Sequence, residues 1–271
     1  MLANFHTHTT FCDGKNTPEE VVLYAIDRGF DSLGFSGHGY TPYDLRYCMK
    51  DVVGYMAEIK RLKEKYKDKI QIYLGTEEDM FAPVGNRNEY DYILGSCHYI
   101  CADGKYYPID SGVDYFRECL KAFNNDAVKM AEDYYGHFCD YIVARKPDIV
   151  GHFDLLTKFD EVDVPGFNGL MCNKEYLKIA ENAMENIMTA DVVIEVNTGA
   201  ISRGYRTSPY PQQELLHIIR KHNGKLILSS DSHSADTLDF YFEESKKILI
   251  DAGFEYVYVL HDNTMKKDYI K

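Results

Sequence analysis

The stretch Phe5-His6-Thr7-His8-Thr9 ends the first short apolar run of the chain and places two histidines two residues apart. In an extended strand, residues at this spacing point to the same side. The two imidazoles can therefore bind one metal ion, although such a pair on its own is a weak signal. The prediction depends on what lies at the ends of the other apolar runs.

Metal-binding residue types recur at or near the ends of later apolar runs. They are His38, Glu77, His98, His152, Glu195 and the pair Asp231 and His233. Six of the ten histidines lie at such positions, which randomly placed histidines would not do. The repetition predicts a metalloenzyme. Solvated or helix-terminal positions are predicted for the remaining histidines, which are His137, His217, His222 and His261.

Short apolar runs alternate with helical patterns along nearly the whole chain, which predicts an α/β fold. The first helix has a clear start, because Thr17 can cap it, Pro18 suits its first turn and Glu20 completes a capping box. Further helices are predicted over about 51–66, 113–145 with breaks near Asn124-Asn125 and Gly136, 174–190, 211–222 and 236–252, and a final strand over 256–260.

Two architectures are compatible with the alternation of strands and helices. Seven or eight strands joined by crossover helices predict a closed (β/α) barrel that forms a single domain over residues 1–271. An open doubly wound sheet is the alternative, and it is less favoured because no glycine-rich phosphate loop follows the first strand. In such barrels the reacting groups lie at the carboxyl ends of the strands, where the candidate ligands fall.

The charge and composition argue against several classes of protein. A formal net charge of −13 repels phosphate backbones and disfavours a protein that coats nucleic acid. A small anionic substrate is still compatible, because bound divalent cations reverse the sign of the local field. The sequence has no signal-peptide pattern, no membrane-spanning apolar run and no closely paired cysteines among its seven. These features predict a cytoplasmic protein with reduced thiols.

The number of candidate ligands exceeds the four that one tetrahedral ion requires. Two or three divalent ions are therefore predicted. Nitrogen and oxygen donors without thiolate suit zinc, manganese or iron, and the sequence does not choose among them. Glu77 and Asp231 are the candidates to bridge two ions, because each carboxylate has two oxygens. Such a cluster suits the displacement of an alcohol from phosphorus.

Six motifs between residue 4 and about residue 235 resemble, in order, those of the polymerase and histidinol phosphatase (PHP) superfamily. They are His6-Thr7-His8, Gly37-His38, Gly75-Thr76-Glu77, Gly95-Ser96-Cys97-His98, Gly151-His152 and Ser230-Asp231-Ser232-His233. Residues 151–155 and 195–199, with Tyr210-Pro211 after them, resemble the histidinol-phosphatase branch. The resemblance implies a distorted (β/α)7 barrel with three metal ions. It also implies hydrolysis of L-histidinol phosphate to L-histidinol and phosphate in histidine biosynthesis.

The resemblance further implies three metal positions. The first comprises His6, His8, Glu77 and Asp231, the second Glu77, His98 and His152, and the third His38 and His233 with Asp13 as a further ligand. Asp13 has an alternative interpretation as a turn residue before Gly14. Glu195 is expected to support a ligating imidazole. Glu78 is expected to be structural, because strand alternation places it opposite Glu77.

The phosphate group needs cations on its non-bridging oxygens. Arg203 and Arg206 are predicted to provide planar forks for phosphate and Lys158 a point charge, with solvated surface charge as the alternative for each. Asp231 or His233 is expected to help protonate the departing alkoxide. No covalent phosphoenzyme is expected, because the opening strand lacks a nucleophilic aspartate followed by a second aspartate.

Three other functions are compatible with parts of this pattern. A PHP-family phosphoesterase could act on another small phosphate ester or a nucleotide. An amidohydrolase also begins with paired histidines, but the fourth strand here ends in Ser96-Cys97-His98 rather than a carboxylated lysine. A non-catalytic metal-binding module would be expected to have lost ligands. The expected partner is a small phosphorylated molecule, with neither nucleic acid nor membrane.

Overall fold

A computed structural model describes residues 1–270, so the last residue of the predicted domain lies outside the described part. Eleven strands form within those residues. They are β1 (Ala3–Asn4), β2 (Ser32–Phe35), β3 (Gln71–Asp79), β4 (Tyr92–Ser96), β5 (Tyr99–Ala102), β6 (Lys105–Pro108), β7 (Ile149–Val150), β8 (Val193–Asn197), β9 (Lys225–Ser229), β10 (Tyr256–His261) and β11 (Thr264–Tyr269).

Seven parallel strands form a closed ring. Strands β1, β2, β3, β4, β7, β8 and β9 pair in that order. Just beyond β1 and β9, the Ser232 N–H donates to the His6 carbonyl at 3.1 Å and the His8 N–H donates to the Ser232 carbonyl at 2.8 Å. A bridge between Thr7 and Ser232 therefore joins the last strand of the ring to the first. The predicted distorted (β/α)7 barrel is confirmed.

A hairpin extends the sheet beyond the ring. Strand β10 meets β9 through a single pair, Tyr258 and Ile227, and then pairs antiparallel with β11 along its whole length. The sequence predicted a last strand over 256–260 but not β11. Its segment contains Lys266, Lys267 and Asp268, which hides the apolar alternation of a strand and suits an exposed sheet edge. Asp262 and Asn263, both with positive φ, make the tight turn.

All the helices but the last lie between strands of the ring, and the last follows β9. They are α1 (Pro18–Asp27), α2 (Val52–Lys65), α3 (Val113–Ala122), α4 (Ala127–Arg145), α5 (Lys174–Ile187), α6 (Gly199–Ser202), α7 (Gln213–Lys221) and α8 (Phe242–Asp251), with single 3-10 turns at Arg87–Glu89, Leu155–Thr157 and Ala235–Thr237. The capping box of α1 is confirmed, because Glu20 N donates to Thr17 Oγ1 and Thr17 N donates to Glu20 Oε2. None of the described helices combines the length and apolar character needed to cross a bilayer.

Two predicted helix boundaries are wrong. The break near Asn124-Asn125 occurs as predicted, with both residues in the left-handed region, but Gly136 lies inside α4. Burial of Tyr135 and Phe138 on either side of Gly136 keeps the helix continuous. The last predicted helix, 236–252, begins only at Phe242. Tyr241, the residue before it, has a φ of 63° and therefore cannot be part of a right-handed helix.

Aromatic and aliphatic side chains fill the inside of the ring below its carboxyl end. Phe5, Tyr73 and Tyr92 form a buried layer there together with side chains from β4, β7, β8 and β9. The ring of Tyr92 lies against Gly75, where an added Cβ would be 2.3 Å away, and its hydroxyl donates to the Phe5 carbonyl at 2.7 Å. This apolar layer fills the interior of the barrel, so the polar residues at the carboxyl ends of the strands lie directly above buried apolar side chains.

Candidate metal centre

Glu77, near the carboxyl end of β3, lies at the centre of the histidine cluster. Its Oε1 atom is 2.9 Å from His152 Nε2 and 3.1 Å from His98 Nε2, and it accepts a hydrogen bond from Ser96 Oγ at 2.7 Å. These two histidines follow β7 and β4. The parallel pairing of β3, β4 and β7 brings them to one side of the carboxylate.

The second oxygen of Glu77 faces a different set of histidines. Its Oε2 atom is 2.8 Å from His38 Nδ1, 3.2 Å from His6 Nε2 and 3.5 Å from His8 Nε2. A carboxylate whose two oxygens address separate imidazole groups has the arrangement needed to bridge two cations. This geometry supports the bridging role predicted for Glu77.

Asp231 closes the cluster from the end of β9. Its Oδ1 atom is 3.2 Å from His8 Nε2, and 3.6 Å from both His6 Nε2 and His233 Nδ1. The backbone of Asp231 is left-handed, with a φ of 49°, a conformation that aspartate tolerates better than most residues. The unusual turn directs the carboxylate toward the histidines instead of along the strand.

A third group of donors lies on the outer side of His8. Asp13 Oδ2 is 3.2 Å from His233 Nε2, and Asp13 Oδ1 is 3.7 Å from both His38 Nε2 and His8 Nδ1. Ring centroids of His8 and His233 are 4.1 Å apart. Asp13 is thus placed with the residues of the predicted third metal position. The ligand roles of all these residues stay predictions.

The buried atoms of the cluster fit divalent cations. Among residues 1–270, His6 Nε2, His8 Nε2 and Glu77 Oε2 are fully buried, and none of their close contacts given above has the geometry of a hydrogen bond. Buried polar atoms of this kind are costly unless something pairs with them. Four overlapping groups of ligand atoms, each within 4.8 Å, can hold a metal ion. All their donors are imidazole nitrogens or carboxylate oxygens, which suits zinc, manganese or iron.

The charges of the cluster shift its pKa values in both directions, because burial is outweighed by nearby carboxylates, which raise the pKa of His6, His38 and His98. Burial opposes ionisation of Glu77, but His6 and His98 outweigh it and hold the pKa of the carboxyl well below its usual range. Burial, reinforced by His233 and His38, lowers the pKa of His8 to about 3. The ionised Glu77 carboxylate and the neutral His8 imidazole are forms that bind a metal ion, and His6, His38 and His98 would release their protons when an ion binds.

Glu195, on β8, contacts two of the histidines from behind. Its Oε1 atom is 2.7 Å from His6 Nδ1, and its Oε2 atom accepts hydrogen bonds from the His152 backbone N–H at 2.8 Å and from Asn197 Nδ2 at 2.9 Å. Contact at Nδ1 fixes the His6 ring with Nε2 toward Glu77. This placement is the supporting position that was expected for Glu195.

Asp79 occupies a similar position that sequence analysis missed. Its Oδ2 atom accepts a hydrogen bond from the His98 backbone N–H at 3.0 Å and is 3.3 Å from His98 Nδ1. The signal was present, because residues 77 and 79 of one strand share a face. Glu78 points the opposite way and accepts hydrogen bonds from Arg145 on α4 at 2.7 and 2.8 Å, as the alternation predicted.

Two of the three predicted phosphate cations line a cavity of about 360 Å³ above the cluster. Arg203 donates to Asp231 Oδ2 at 2.7 Å and to the Asp231 carbonyl at 2.9 Å. Lys158 Nζ donates to the Asp110 carbonyl at 2.8 Å, and burial lowers the pKa of this ammonium group. Both cations are therefore held by acidic residues at the wall of the same cavity.

Arg206 does not line this cavity, and the structure corrects its predicted contact with phosphate. Its side chain is buried, donates to Thr157 Oγ1 at 2.6 Å and to Ser208 Oγ at 3.3 Å, and lies over the ring of Tyr210. The short helix α6 and the turn after it rotate residue 206 away from the side of the loop on which Arg203 lies.

The remaining wall of the cavity comes from residues that sequence analysis did not identify. They include Arg46, Tyr47, Tyr99, Asp110, Tyr115 and Tyr205. Tyr115 lies in the first turn of α3 and the others lie in connecting segments or in the β5–β6 hairpin, so none of them ends a ring strand. With 23 tyrosines scattered along the chain, no local pattern distinguishes these from tyrosines that only pack.

Comparison with known proteins identifies the family. The PHP domain profile matches residues 4–199, which is most of the chain. The chain belongs to the PHP domain family. A protein of Schizosaccharomyces pombe named "Probable histidinol-phosphatase" is 27% identical over 93% of this chain and 87% of its own length. The histidinol-phosphatase of Bacillus subtilis is also 27% identical, over 88% of this PHP chain and 96% of its own.

A solved structure shows the same fold over the whole PHP chain. It is the histidinol phosphate phosphatase of Lactococcus lactis in complex with zinc, L-histidinol and phosphate. The two structures superpose with a TM-score of 0.64 at 19% identity, covering 98% of this chain and 99% of the other. The barrel of the PHP family is therefore retained from end to end.

Proposed function

We propose that this PHP protein is a metal-dependent phosphomonoesterase that hydrolyses L-histidinol phosphate to L-histidinol and phosphate. The observation that supports it most is the convergence of histidine and carboxylate donors with two cations, Lys158 and Arg203, at one cavity. Relatives over nearly the whole length bear the name histidinol-phosphatase. The L. lactis protein of the same fold binds zinc, L-histidinol and phosphate.

Two or three divalent ions would be held by the donor groups around Glu77. His6, His8 and Asp231 face one another beside Glu77 Oε2, His98 and His152 lie beside Oε1, and His38, His233 and Asp13 form the outer group. When bound, the ions supply Lewis acidity toward phosphate and a water molecule of lowered pKa. Glu195 and Asp79 hold His6 and His98 in the required orientations.

The side chains of the cavity wall bind and orient the phosphate group. Arg203 presents a planar guanidinium and Lys158 a point charge, and together they neutralise non-bridging oxygens. His233 is favoured over Asp231 as the group that protonates the departing alkoxide when the outer group holds no ion, since an imidazole nitrogen that binds a metal ion carries no proton. Burial opposes ionisation of Asp231, but Arg203 and His6 outweigh it and hold the pKa of the carboxyl too low for an acid. His233 lines the cavity directly.

The alcohol part of the substrate would lie against the part of the wall that Asp110 and the tyrosines form. Asp110 is ionised, because Lys158 lowers the pKa of its carboxyl despite burial, and it lines the cavity. A carboxylate there suits the ammonium group of histidinol. Tyr47, Tyr99 and Tyr115 offer aromatic surface and hydroxyl groups to an imidazole ring. We assign amine recognition to Asp110.

Phosphate release from a panel of esters tests the proposal. The panel contains histidinol phosphate, simple sugar and aryl phosphates, and nucleoside monophosphates, each assayed with native protein, chelated protein and protein with metal restored. Histidinol phosphate is expected to be the preferred substrate, and chelation to abolish turnover reversibly. Faster hydrolysis of a nucleotide or another ester would transfer the assignment to that substrate. No phosphate release from any ester by metal-loaded protein would reject the phosphatase assignment.

A further inference from the structure

We infer that Arg206 is a positioning residue that fixes Lys158 and Arg203 relative to each other and so sets the affinity of the cavity for phosphate. The inference rests on the proposed function. Arg206 itself contacts no part of the cavity, and its guanidinium lies behind the wall that the two cations form.

Arg206 connects two segments of the chain that each contribute one cation. Its NH1 atom donates to Thr157 Oγ1 at 2.6 Å, and Thr157 directly precedes Lys158. Arg206 follows Arg203 by three residues, in the loop after α6. The hydrogen bond therefore joins the backbone that bears Lys158 to the backbone that bears Arg203.

Further contacts hold the same two segments together around Arg206. The Thr207 backbone N–H donates to Glu161 Oε1 at 3.1 Å. Lys158 Nζ lies 5.1 Å from the ring centre of Tyr205, which also lines the cavity. Thr207 is exposed and Tyr205 is half-buried, whereas the Arg206 and Thr157 side chains are both buried, so the Arg206–Thr157 contact is the one least weakened by water.

Two like charges at one cavity repel each other when no phosphate lies between them. Asp110 and Asp231 each hold one of the two charged groups, but they lie in different parts of the chain. Contacts of the ammonium and guanidinium groups alone would let the loop that bears Lys158 and the loop that bears Arg203 move apart. The hydrogen bond from the Arg206 side chain to the Thr157 side chain opposes this movement and so holds the two cations at a constant spacing.

The charge of Arg206 is compensated locally rather than by a ligand. Asp154 Oδ2 lies 3.8 Å from Arg206 NH1 and also accepts a hydrogen bond from the Gln212 backbone N–H at 2.8 Å. The guanidinium carbon lies 4.3 Å from the ring centre of Tyr210. A buried ion pair of this kind often stabilises a fold no more than apolar residues would. Its value here is the geometry that it imposes on the two loops.

Arg206→Lys and Thr157→Val test this role, since lysine lacks the planar fork and valine lacks the hydroxyl, so each disrupts the Arg206–Thr157 hydrogen bond while leaving both phosphate cations in place. We expect the KM for histidinol phosphate and the inhibition constant for inorganic phosphate to rise about tenfold, with kcat changed less than about threefold. Because both variants disrupt the same contact, the two constants of the double variant are expected to rise no further than those of the more strongly impaired single variant. Bound metal, measured by elemental analysis, is expected to stay constant.

Arg87→Lys is the matched control, because Arg87 also pairs with an aspartate but lies before β4, at the amino end of the barrel. It is expected to leave both constants unchanged. If the wild-type protein hydrolyses histidinol phosphate and Arg206→Lys binds phosphate equally well, the positioning role is rejected and the proposed function stands. The positioning role is also rejected if Arg206→Lys binds less metal and melts at a lower temperature without a selective change in phosphate affinity.

Discussion

The two ends of the barrel are built from the same seven strands, yet their charged residues lie in different surroundings. At the amino end, Arg87 pairs with Asp148 at 2.7 Å, and Asp148 also accepts a hydrogen bond from the Ile93 N–H. At the carboxyl end, Glu77 and His6 are buried and have atoms with no hydrogen-bond partner in the part of the chain that the structure describes. The charged pair at the amino end has its hydrogen-bond partners within the protein, whereas buried donor and acceptor atoms at the carboxyl end are placed to bind a ligand.

This contrast separates residues that stabilise the barrel from residues that serve the reaction. A satisfied surface pair contributes little to stability, about 0–1 kcal/mol, and nothing to chemistry. A buried group without a partner lowers stability until its ligand binds. Substitutions at the two ends should therefore affect different measurements, with the largest effects on activity at the carboxyl end.

The strongest expected effect is that of Glu77→Gln. Loss of one of two equivalent oxygens removes the contacts that link the His98 and His152 pair with His6, His8 and His38. We expect kcat/KM to fall about 1,000-fold or more, together with the loss of at least one bound ion. Phosphate release and elemental analysis measure the two effects.

Glu78→Gln is the matched control for Glu77→Gln, since the two residues are neighbours and equally buried. Glu78 binds Arg145 on the outer side of β3, so its loss should lower the melting temperature without changing metal content. Full turnover by the Glu77→Gln protein, or metal loss in the Glu78→Gln protein, would contradict the division between the two faces of β3.

Glu195→Gln should have the next largest effect. Glu195 accepts three hydrogen bonds with two carboxylate oxygens, and a glutamine has one oxygen and an amide group that only donates. The His6 ring would lose its fixed orientation, and metal affinity is expected to fall about 10- to 100-fold. Titration with a chelator of known affinity measures the change. An unchanged metal affinity would show that His6 is held by its neighbours alone.

Asp110→Asn tests recognition of the alcohol rather than the phosphate. The substitution also disturbs Lys158, so the useful quantity is a ratio of kcat/KM for histidinol phosphate to that for an aryl phosphate without an amine. We expect this ratio to fall about tenfold, the loss of one charge-assisted contact. An equal loss for both substrates would place Asp110 in phosphate binding through Lys158 only.

The same contrast explains what the sequence could predict. His38, His98 and His152 were found because parallel strands bring their ends together, and residue type and position alone identify them. Arg206 was placed wrongly because the direction of a side chain in a loop depends on each backbone turn before it. Asp110 and Tyr115 were missed because the loop between β6 and α3 and the first turn of α3 reach the cavity through tertiary packing that no local pattern records.

The smallest expected effect is that of Arg87→Ala, at the satisfied end. Its partner Asp148 keeps the hydrogen bond from the Ile93 N–H, and both side chains of the pair are over a third exposed. The free energy of unfolding, measured by urea denaturation, is expected to fall by about 0–1 kcal/mol. The rate of phosphate release should stay the same, because the buried layer around Tyr92 separates the two ends. A loss of activity greater than the loss of stability would mean that the strands transmit changes along their length, and the two ends would then have to be treated as one coupled structure.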